Sequence, residues 1–417
     1  MTRMGQLAPR PPRAFKRPQW PTRRLTEKLP QPDVLDEKGF AWSARHHLIM
    51  RIPATSELIQ AAIVCVAVLT APFASVAEGQ TNHAARIQRA METLVASGAP
   101  GVIVLFRDGN QVIRLAAGYG ELATRTPMRV ADQFRIASLT KSFVAVVVLQ
   151  LVEEGKLSLD DAVESRLPGL VPDGRDITVR QLLNHTSGLF DYVKDQNVFR
   201  RLVSDTLREW SPQELIEVGT THKVLFAPGR GWAYSNTGYL LLGLIVEKVT
   251  GNGLGEELRK RIFVPLGLRS TIFPTTPQIV GPHAHGYFVM GKPPAQDVTA
   301  VTPSFVWANG AIVSTVNDVA AFYGALLGGK LLPPTMLRAM QDTVPAEDGG
   351  RYGLGLMMSR VPCGTVWGHN GEWAGFVADV LNSKTGSRQS VVFVNSSSLS
   401  PQAKRAMNRV IVTAYCG

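Results

Sequence analysis

The order of secondary-structure patterns restricts the fold of this chain more than any other feature. Residues 102–106 and 112–115 are short β-type runs on either side of Asp108-Gly109-Asn110, a step typical of a tight hairpin. The middle of the chain is mostly helical, and two strongly apolar helices there stop at glycine. These two apolar helices are predicted at 142–154 and 240–249. Further β-type runs lie at 354–358, 365–368, 375–381 and 390–395, and terminal helices are predicted at 83–97 and 402–414.

Strands from both chain ends can share one sheet if the helical middle is inserted between them. The sequence therefore predicts an α+β fold, an antiparallel sheet flanked by helices from both chain ends, with an inserted all-helical lobe. The α/β lobe is expected to span 78–137 and 271–417, and the helical lobe 138–270. A site would lie at the seam between the two lobes.

The net charge of +11 raises the question of a nucleic-acid partner. Residues 1–77 carry +6 of it, and beyond them basic and acidic residues are interspersed, as on an ordinary soluble surface. No basic stripe with interleaved aromatic residues is present, so we expect no nucleic-acid partner.

The beginning of the chain resembles an exported precursor. Residues 1–50 are rich in proline and arginine and are expected to be disordered or an untranslated upstream extension. Residues 51–77 have the pattern of a signal peptide, with an apolar run at 59–71 and a small-residue exit ending at Ala77. The run is shorter than the roughly 20 residues of a membrane span. We expect a secreted or periplasmic protein with no stable membrane span; the alternatives are a buried helix or an uncleaved anchor.

The first motif with chemical meaning is Ser138-Leu139-Thr140-Lys141. A serine and a lysine three residues apart at the start of a helix share one face, and the helix N-terminus favours a developing alkoxide. The pattern alone is common, and it equally describes a capping serine beside a solvated lysine. The apolar run that follows Lys141 instead predicts a buried helix.

Tyr234-Ser235-Asn236 is the second motif. A phenol acts as a base when nearby positive charge stabilises its phenolate, and Lys141 could supply that charge. Asn236 offers an amide that could hold both the lysine and a substrate carbonyl. The alternative is a turn with a packed tyrosine.

The third motif is Trp367-Gly368-His369-Asn370-Gly371-Glu372. Glycines on either side of polar residues let a substrate backbone lie against a strand edge. The N–H of Glu372 would then point, with that of Ser138, at an acyl oxyanion. His369 alone is also compatible with a structural role, and no ligands at a suitable spacing accompany His283 and His285, so we expect no metal.

Two cysteines, Cys363 and Cys416, remain after the predicted signal peptide. In an exported protein they could form a disulfide, and from spacing alone two buried free thiols are equally compatible.

Together and in this order, the three motifs resemble the serine β-lactamase and D-alanyl-D-alanine carboxypeptidase superfamily. The class C-like branch, whose second motif is Tyr-x-Asn, is the most similar. His-x-Gly as third motif resembles secreted carboxypeptidases more than class C β-lactamases, which carry Lys-Thr-Gly. The similarity covers about residues 83–417, and its further matching stretches are LQLVEEGKLSLDDAV, ITVRQLLNHTSGL, APGRGWAYSNTGYLLLGLIVEKVTG and YGLGL before GHNGEWAGF.

The resemblance implies a β-lactamase/transpeptidase-like fold and a mechanism that needs no cofactor. Ser138 would be the nucleophile, Lys141 its proton partner and Tyr234 the base for acylation and deacylation. Asn236 would contact the substrate. The resemblance also favours the disulfide between Cys363 and Cys416.

In the third motif, the resemblance places His369 where relatives carry a cation. Asn370 and Gly371 would bind substrate beside it, and the backbone N–H groups of Ser138 and Glu372 would form the oxyanion hole.

One departure from the carboxypeptidase pattern concerns the substrate's terminal carboxylate. In the similar carboxypeptidases an arginine soon after the Gly-Leu-Gly-Leu strand and two threonines hold that group. Here Arg360 comes a few residues late, and Asn370 and Glu372 replace the threonines. A glutamate facing a carboxylate would repel it.

The main hypothesis is therefore hydrolysis of an amide or ester through an acyl-Ser138 intermediate, as in a D-alanyl-D-alanine carboxypeptidase acting on D-alanyl peptides of the cell wall. An esterase or a β-lactamase of the same fold is the alternative within enzymes. A non-catalytic penicillin-binding-like receptor is the alternative outside them.

Overall fold

The computed structural model describes residues 72–288 and 294–417. The predicted extension 1–50 and residues 51–71 of the predicted signal peptide lie outside them. The helices are α1 (Pro72–Ala96), α2 (Thr140–Glu153), α3 (Val163–Arg166), α4 (Val179–Leu183), α5 (Gln196–Ser204), α6 (Pro212–Thr221), α7 (Asn236–Thr250), α8 (Leu254–Leu258), α9 (Val264–Leu266), α10 (Trp307–Gly310), α11 (Val316–Leu327), α12 (Pro334–Gln341) and α13 (Pro401–Cys416).

A nine-stranded antiparallel sheet forms the centre of the described fold, in the order β3-β2-β1-β13-β12-β11-β10-β9-β8. Two short two-stranded sheets, β4-β7 and β5-β6, accompany it. The strands are β1 (Gly101–Asp108), β2 (Gln111–Glu121), β3 (Thr126–Pro127), β4 (Phe134–Arg135), β5 (Tyr287–Phe288), β6 (Gln296–Asp297), β7 (Val313–Ser314), β8 (Val344–Pro345), β9 (Arg351–Tyr352), β10 (Met357–Val361), β11 (Gly364–Trp373), β12 (Phe376–Asn382) and β13 (Arg388–Val394).

Strands from the two chain ends meet at the centre of this sheet, because β1 pairs with β13 antiparallel from Val102↔Val394 to Asp108↔Arg388. The predicted β1–β2 hairpin is confirmed, and it closes with Asp108 opposite Gln111, so that Gly109 and Asn110 form its turn. The predicted antiparallel sheet with helices from both chain ends is confirmed as well.

Side-chain alternation along the strands separates the core into two layers. On one face, Val102, Val104 and Phe106 of β1 pack with α1 and α13. On the other face, Ile103 and Leu105 join the larger core, which contains α2, α7 and α11. The sheet is therefore covered on both faces.

The two apolar helices of the middle region lie inside the larger core. Most of α2 is buried, from Thr140 to Leu149 without interruption, as expected for a helix that is apolar all round. Gly251 closes α7 in the left-handed conformation, at φ 73°, which costs glycine little. At the start of α11, the Thr315 side chain accepts the backbone N–H of Asp318, which is typical of a helix that begins Thr-x-x-Asp.

The predicted strand at 354–358 is only partly right. The strand β10 begins at Met357, and Gly355 before it has φ 76° and donates its N–H to the backbone oxygen of Leu183 at the end of α4. This loop conformation arises from a contact between distant segments, which a local pattern does not contain.

Cys363 and Cys416 are joined by a disulfide that fixes the end of α13 to the turn between β10 and β11. None of the helices within 72–288 and 294–417 combines the length and apolar character needed to cross a membrane.

Candidate active site

Ser138 lies in a short 3-10 turn, Ala137–Leu139, directly before α2. Its side chain is partly exposed, whereas both neighbours in the turn are buried. Ala137 has φ 49°, a left-handed conformation that an alanine rarely adopts and that costs on the order of 1 kcal/mol. The strained turn therefore presents Ser138 at the surface of an otherwise buried segment.

Lys141 is completely buried one helical turn further on. Its Nζ donates hydrogen bonds to Ser138 Oγ at 3.0 Å, to Asn236 Oδ1 at 2.8 Å and to the backbone oxygen of Asn309 at 2.9 Å. Burial lowers the pKa of Lys141 to about 7, although the negative charge of Asp191 acts in the opposite direction. Near neutral pH the amine is therefore available in its uncharged form.

The three partners of Lys141 fix the direction in which a proton can move. Asn236 Oδ1 and the Asn309 carbonyl only accept hydrogen bonds, so each requires an N–H of the lysine. An uncharged amine keeps two N–H groups for these oxygens and directs its lone pair at Ser138 Oγ. The arrangement is thus suited to take the proton of Ser138 as the hydroxyl attacks.

Tyr234 packs beside this pair, with Lys141 Nζ 4.9 Å from the centre of its ring. Burial raises the pKa of Tyr234 above its ordinary value, and a hydrogen bond with Ser138 only partly offsets this. A phenol with a raised pKa is a weaker acid than usual and is rarely found as phenolate near neutral pH. Lys141 therefore matches the requirements of the base in the free protein better than Tyr234 does.

His369 lies on β11 and faces the same cluster. Its Nδ1 donates to the backbone oxygen of Asn370 at 2.5 Å, so Nε2 accepts the hydrogen bond of the Tyr352 hydroxyl at 2.8 Å. Burial, and the charge of Lys141, lower the pKa of His369 to about 3. With this pKa the side chain is neutral near pH 7, so His369 brings no positive charge to the position where the resemblance places a cation in relatives.

β11 comes close to the serine turn at Gly371. A methyl group built on Gly371 would lie 2.9 Å from the backbone nitrogen of Ser138 and 2.5 Å from the backbone oxygen of Ile136. β10 pairs with β11 only as far as Gly368. Beyond Gly368, the edge of β11 is therefore not covered by β10 and faces the serine turn. The oxyanion hole formed by the N–H groups of Ser138 and Glu372 stays a prediction, and this close approach of the two backbones is compatible with it.

The side chains of Asn370 and Glu372 alternate with those of His369 and Gly371 and are exposed. Both belong to the sheet face that carries Val377, the residue opposite Glu372. Although the residue is exposed, its carboxyl group is partly desolvated against the sheet, which raises the pKa of Glu372, and the positive charge of Lys404 on α13 lowers it. The expectation that Glu372 faces the serine pocket is therefore wrong, because the pleat of β11 directs it to the face covered by α13.

Two residues that the sequence reasoning missed complete the cluster. Asp191 is buried and binds the amide nitrogen of Asn236, and Asn309 supplies the carbonyl that holds Lys141. Asp191 comes shortly after the matching stretch ITVRQLLNHTSGL, so a longer reading of that stretch would have reached it. The contribution of Asn309 to Lys141 comes from its backbone and has no signature in sequence.

Comparison with known proteins agrees with this geometry. The beta-lactamase family model matches residues 85–414. A D-stereospecific amidohydrolase from Streptomyces sp. is similar in structure, with a TM-score of 0.74 and 37% identity over 80% of this chain and 98% of the other. The D-amino acid amidase from Ochrobactrum anthropi SV3, complexed with D-phenylalanine, has a TM-score of 0.72 and 30% identity, again over 80% and 98%.

A curated relative, penicillin-binding protein 4* of Bacillus subtilis, is 27% identical over 323 residues, which are 71% of this chain and 68% of the relative. The family match spans most of the chain and contains the serine, the lysine and both later motifs. The chain therefore belongs to the beta-lactamase family, a family of serine hydrolases.

Proposed function

We propose that the protein hydrolyses amide bonds of D-amino-acid derivatives with an uncharged leaving group, through an acyl-Ser138 intermediate. The observation that carries the reaction type is the contact of Lys141 Nζ with Ser138 Oγ at 3.0 Å, with a lysine pKa of about 7. A buried lysine that is half uncharged near neutral pH can act as the base for a serine nucleophile.

In the acylation step, Lys141 takes the proton of Ser138 while Oγ forms a bond to the substrate carbonyl carbon. The carbonyl oxygen becomes an oxyanion beside the N–H groups of Ser138 and Glu372. As the carbon–nitrogen bond breaks, Tyr234 donates its phenolic proton to the leaving nitrogen and regains one from Lys141. Water then attacks the acyl-serine ester by the reverse proton path, which releases a carboxylic acid and restores Ser138.

The leaving-group side of the site argues for an uncharged leaving group. His369 is neutral, and Arg360 lies on β10 opposite Thr365. Thr365 is four residues before His369 on β11, about 13 Å at ~3.3 Å per residue. Neither side chain offers a charge to a terminal carboxylate, which a carboxypeptidase must hold.

On the acyl side, the aromatic residues favour an apolar D-side chain. Trp373 lies on the same sheet face as Gly371 and stacks on Phe305, with ring centres 5.2 Å apart and planes at 15°. The similarity to a D-stereospecific amidohydrolase and to a D-amino acid amidase supports the same substrate class. We propose that Trp373, two residues after Gly371, forms an apolar wall for the acyl group; aromatic walls bind flat or branched side chains by excluding water.

A second candidate is the D-alanyl-D-alanine carboxypeptidase expected from the sequence. It is favoured by the His-x-Gly motif and by the similarity to penicillin-binding protein 4*. Measurement of kcat/KM for a D-amino acid amide, its L-enantiomer, a D-alanyl-D-alanine peptide, a nitrophenyl ester and a β-lactam separates the candidates. We expect the D-amide to exceed the L-amide and the dipeptide at least tenfold; preference for the dipeptide would favour the carboxypeptidase.

Ser138→Ala is the control for every substrate. Loss of turnover and of covalent labelling by a fluorophosphonate in this variant is expected. Turnover that survives in Ser138→Ala would contradict the acyl-serine mechanism.

We also infer that the protein acts outside the cytoplasm. The signal-peptide pattern of residues 51–77 and the disulfide between Cys363 and Cys416 support export to an oxidising compartment. N-terminal sequencing of the protein from its native host tests this, with a mature start close to residue 78 expected.

A further inference from the structure

Asp191 is a buried carboxylate that the proposed mechanism does not use. It is 5% exposed and caps a short 3-10 turn, Tyr192–Lys194, by accepting the N–H of Val193 at 3.3 Å. Within the described residues, its other side-chain hydrogen bonds are all accepted from Asn236. The backbone N–H of Asn236 donates to Oδ1 at 3.2 Å, and Nδ2 donates to Oδ1 at 3.2 Å and to Oδ2 at 3.1 Å.

These contacts decide which way the Asn236 amide points. A carboxylate only accepts hydrogen bonds, so the amide must turn its nitrogen toward Asp191. Its oxygen then faces Lys141 Nζ, at 2.8 Å. With the amide reversed, the NH2 group would face the lysine, and one acceptor of the ammonium would be lost.

The charge of Asp191 also reaches Lys141, since it raises the lysine pKa against the effect of burial. The other elements around Lys141 carry uncharged groups. Tyr234 and Tyr239 present ring faces 4.9 Å and 5.5 Å from Nζ, and β11 contributes the neutral His369. The aromatic group behind Tyr234 includes His185, whose pKa burial lowers well below its ordinary value.

A carboxylate is otherwise costly at this depth. Burial raises the pKa of Asp191 above its ordinary value, and the hydrogen bonds from Asn236 and Val193 and the charge of Lys141 offset only part of this rise. Asp191, Asn236 and Lys141 therefore form a continuous chain from carboxylate through amide to ammonium. The negative charge of Asp191 stabilises the positive charge of protonated Lys141 through the Asn236 side chain that lies between them.

We propose that Asp191 is a positioning residue, which holds the Asn236 amide oxygen on Lys141 and keeps one compensating negative charge behind it. The inference rests on the proposed role of Lys141 as the base for Ser138. It assigns to the carboxylate a function in the proton-transfer step without contact to the substrate.

The direct test is an NMR titration of Lys141 in the full-length folded protein, with lysine labelled at the ε carbon and the signal assigned by Lys141→Arg. In Asp191→Asn we expect the pKa of Lys141 to fall by about one unit, because an attractive charge has been removed. Asp191→Glu keeps the charge, so its Lys141 titration should stay near that of the wild type. A matched control is Asp195→Asn, which removes a carboxylate four residues away that caps α5 and binds His222 at 2.9 Å.

The rate of Ser138 labelling by a fluorophosphonate, measured against pH, gives the second readout. For Asp191→Asn we expect the acid limb to move down by about one pH unit and the plateau to fall on the order of tenfold, since a charge-assisted contact of the lysine is lost. For Asp191→Glu, the midpoint pH of the acid limb should stay at the wild-type value, even if the maximal labelling rate is lower.

A merely structural role lowers the plateau of both variants by a similar factor and leaves the Lys141 titration unmoved. That result, in variants that melt cooperatively, would overturn the inference. Failure of the proposed function has a different signature, namely fluorophosphonate labelling that is absent in the wild type or persists in Ser138→Ala.

Discussion

Replacement of Gly371 by alanine adds one methyl group at the point where β11 meets the serine turn. That methyl would lie 2.5 Å from the backbone oxygen of Ile136, 2.9 Å from the nitrogen of Ser138 and 3.0 Å from Cβ of Ala137. Ordinary contact begins near 3.4 Å, so the two segments must separate by roughly 0.9 Å. Two of the three obstructing atoms belong to the backbone, and no side chain can rotate away to relieve them.

A displacement of this size would move Ser138 and the proposed oxyanion donors, which take part in the reaction. Misplacement by ~1 Å costs on the order of a hundredfold in rate, about 2.7 kcal/mol, when the reacting groups and the oxyanion donors no longer fit together. We therefore expect kcat of Gly371→Ala to fall about 100-fold with little change in KM. Overpacking should also lower the free energy of unfolding by about 1–3 kcal/mol.

The assay combines steady-state turnover of a nitrophenyl ester, the rate of fluorophosphonate labelling and a thermal melt. The matched control is Gly253→Ala, because a methyl group there meets only Glu247 Oε1, at 3.9 Å. Its kcat should stay within about twofold of the wild type. If Gly371→Ala also keeps wild-type kcat and melting temperature, the close approach of β11 to the serine turn is not what positions the site.

Three further predictions concern charge and the disulfide. As the pH rises, kcat/KM should increase with a midpoint near pH 7, where the uncharged amine of Lys141 becomes available, and Lys141→Arg should abolish activity. A midpoint near pH 3 would instead indicate His369. Asp379 has a buried Oδ1 without a hydrogen-bond partner, and burial raises the pKa of this carboxyl from 3.8 to about 7. The folded state then binds a proton that the unfolded state releases, so the free energy of unfolding should fall as the pH rises from about 4 to about 7. Urea unfolding should show Asp379→Asn to be more stable than the wild type by about 4 kcal/mol at pH 8 and equal to it at pH 3.5, and equality at both would refute this. Removal of the disulfide by Cys363→Ser with Cys416→Ser should cost roughly 2–4 kcal/mol in urea unfolding, since it closes a loop of 53 residues, and should leave the labelling rate of the folded protein unchanged.

Much of the fold could be predicted from local patterns because burial repeats along the chain. The run after Lys141 is apolar on every side, and α2 is buried accordingly. The Asp108-Gly109-Asn110 step gives the hairpin and its register. The misplaced start of β10 shows the limit of local patterns, since Gly355 takes its conformation beside a contact with Leu183 of α4, which is distant in sequence.

The candidate site divides in the same way. Ser138 and Lys141 are three residues apart on one helical turn, so their contact follows from the sequence alone. The pleat of β11, which turns Glu372 away from the serine, also follows from strand alternation once the strand is known. The pairing of Asp191 with Asn236 joins residues 45 positions apart and has no local pattern.

By itself, the sequence determined which chemical groups are available, namely a serine, a lysine, a tyrosine and a histidine in three motifs in a fixed order. Only the tertiary structure decided their charge states. Complete burial lowers the pKa of Lys141 to about 7 and that of His369 to about 3, and it raises the pKa of Tyr234. The physical reason is that a pKa depends on the solvent and the charges on all sides of a group, and those neighbours come from distant parts of the chain.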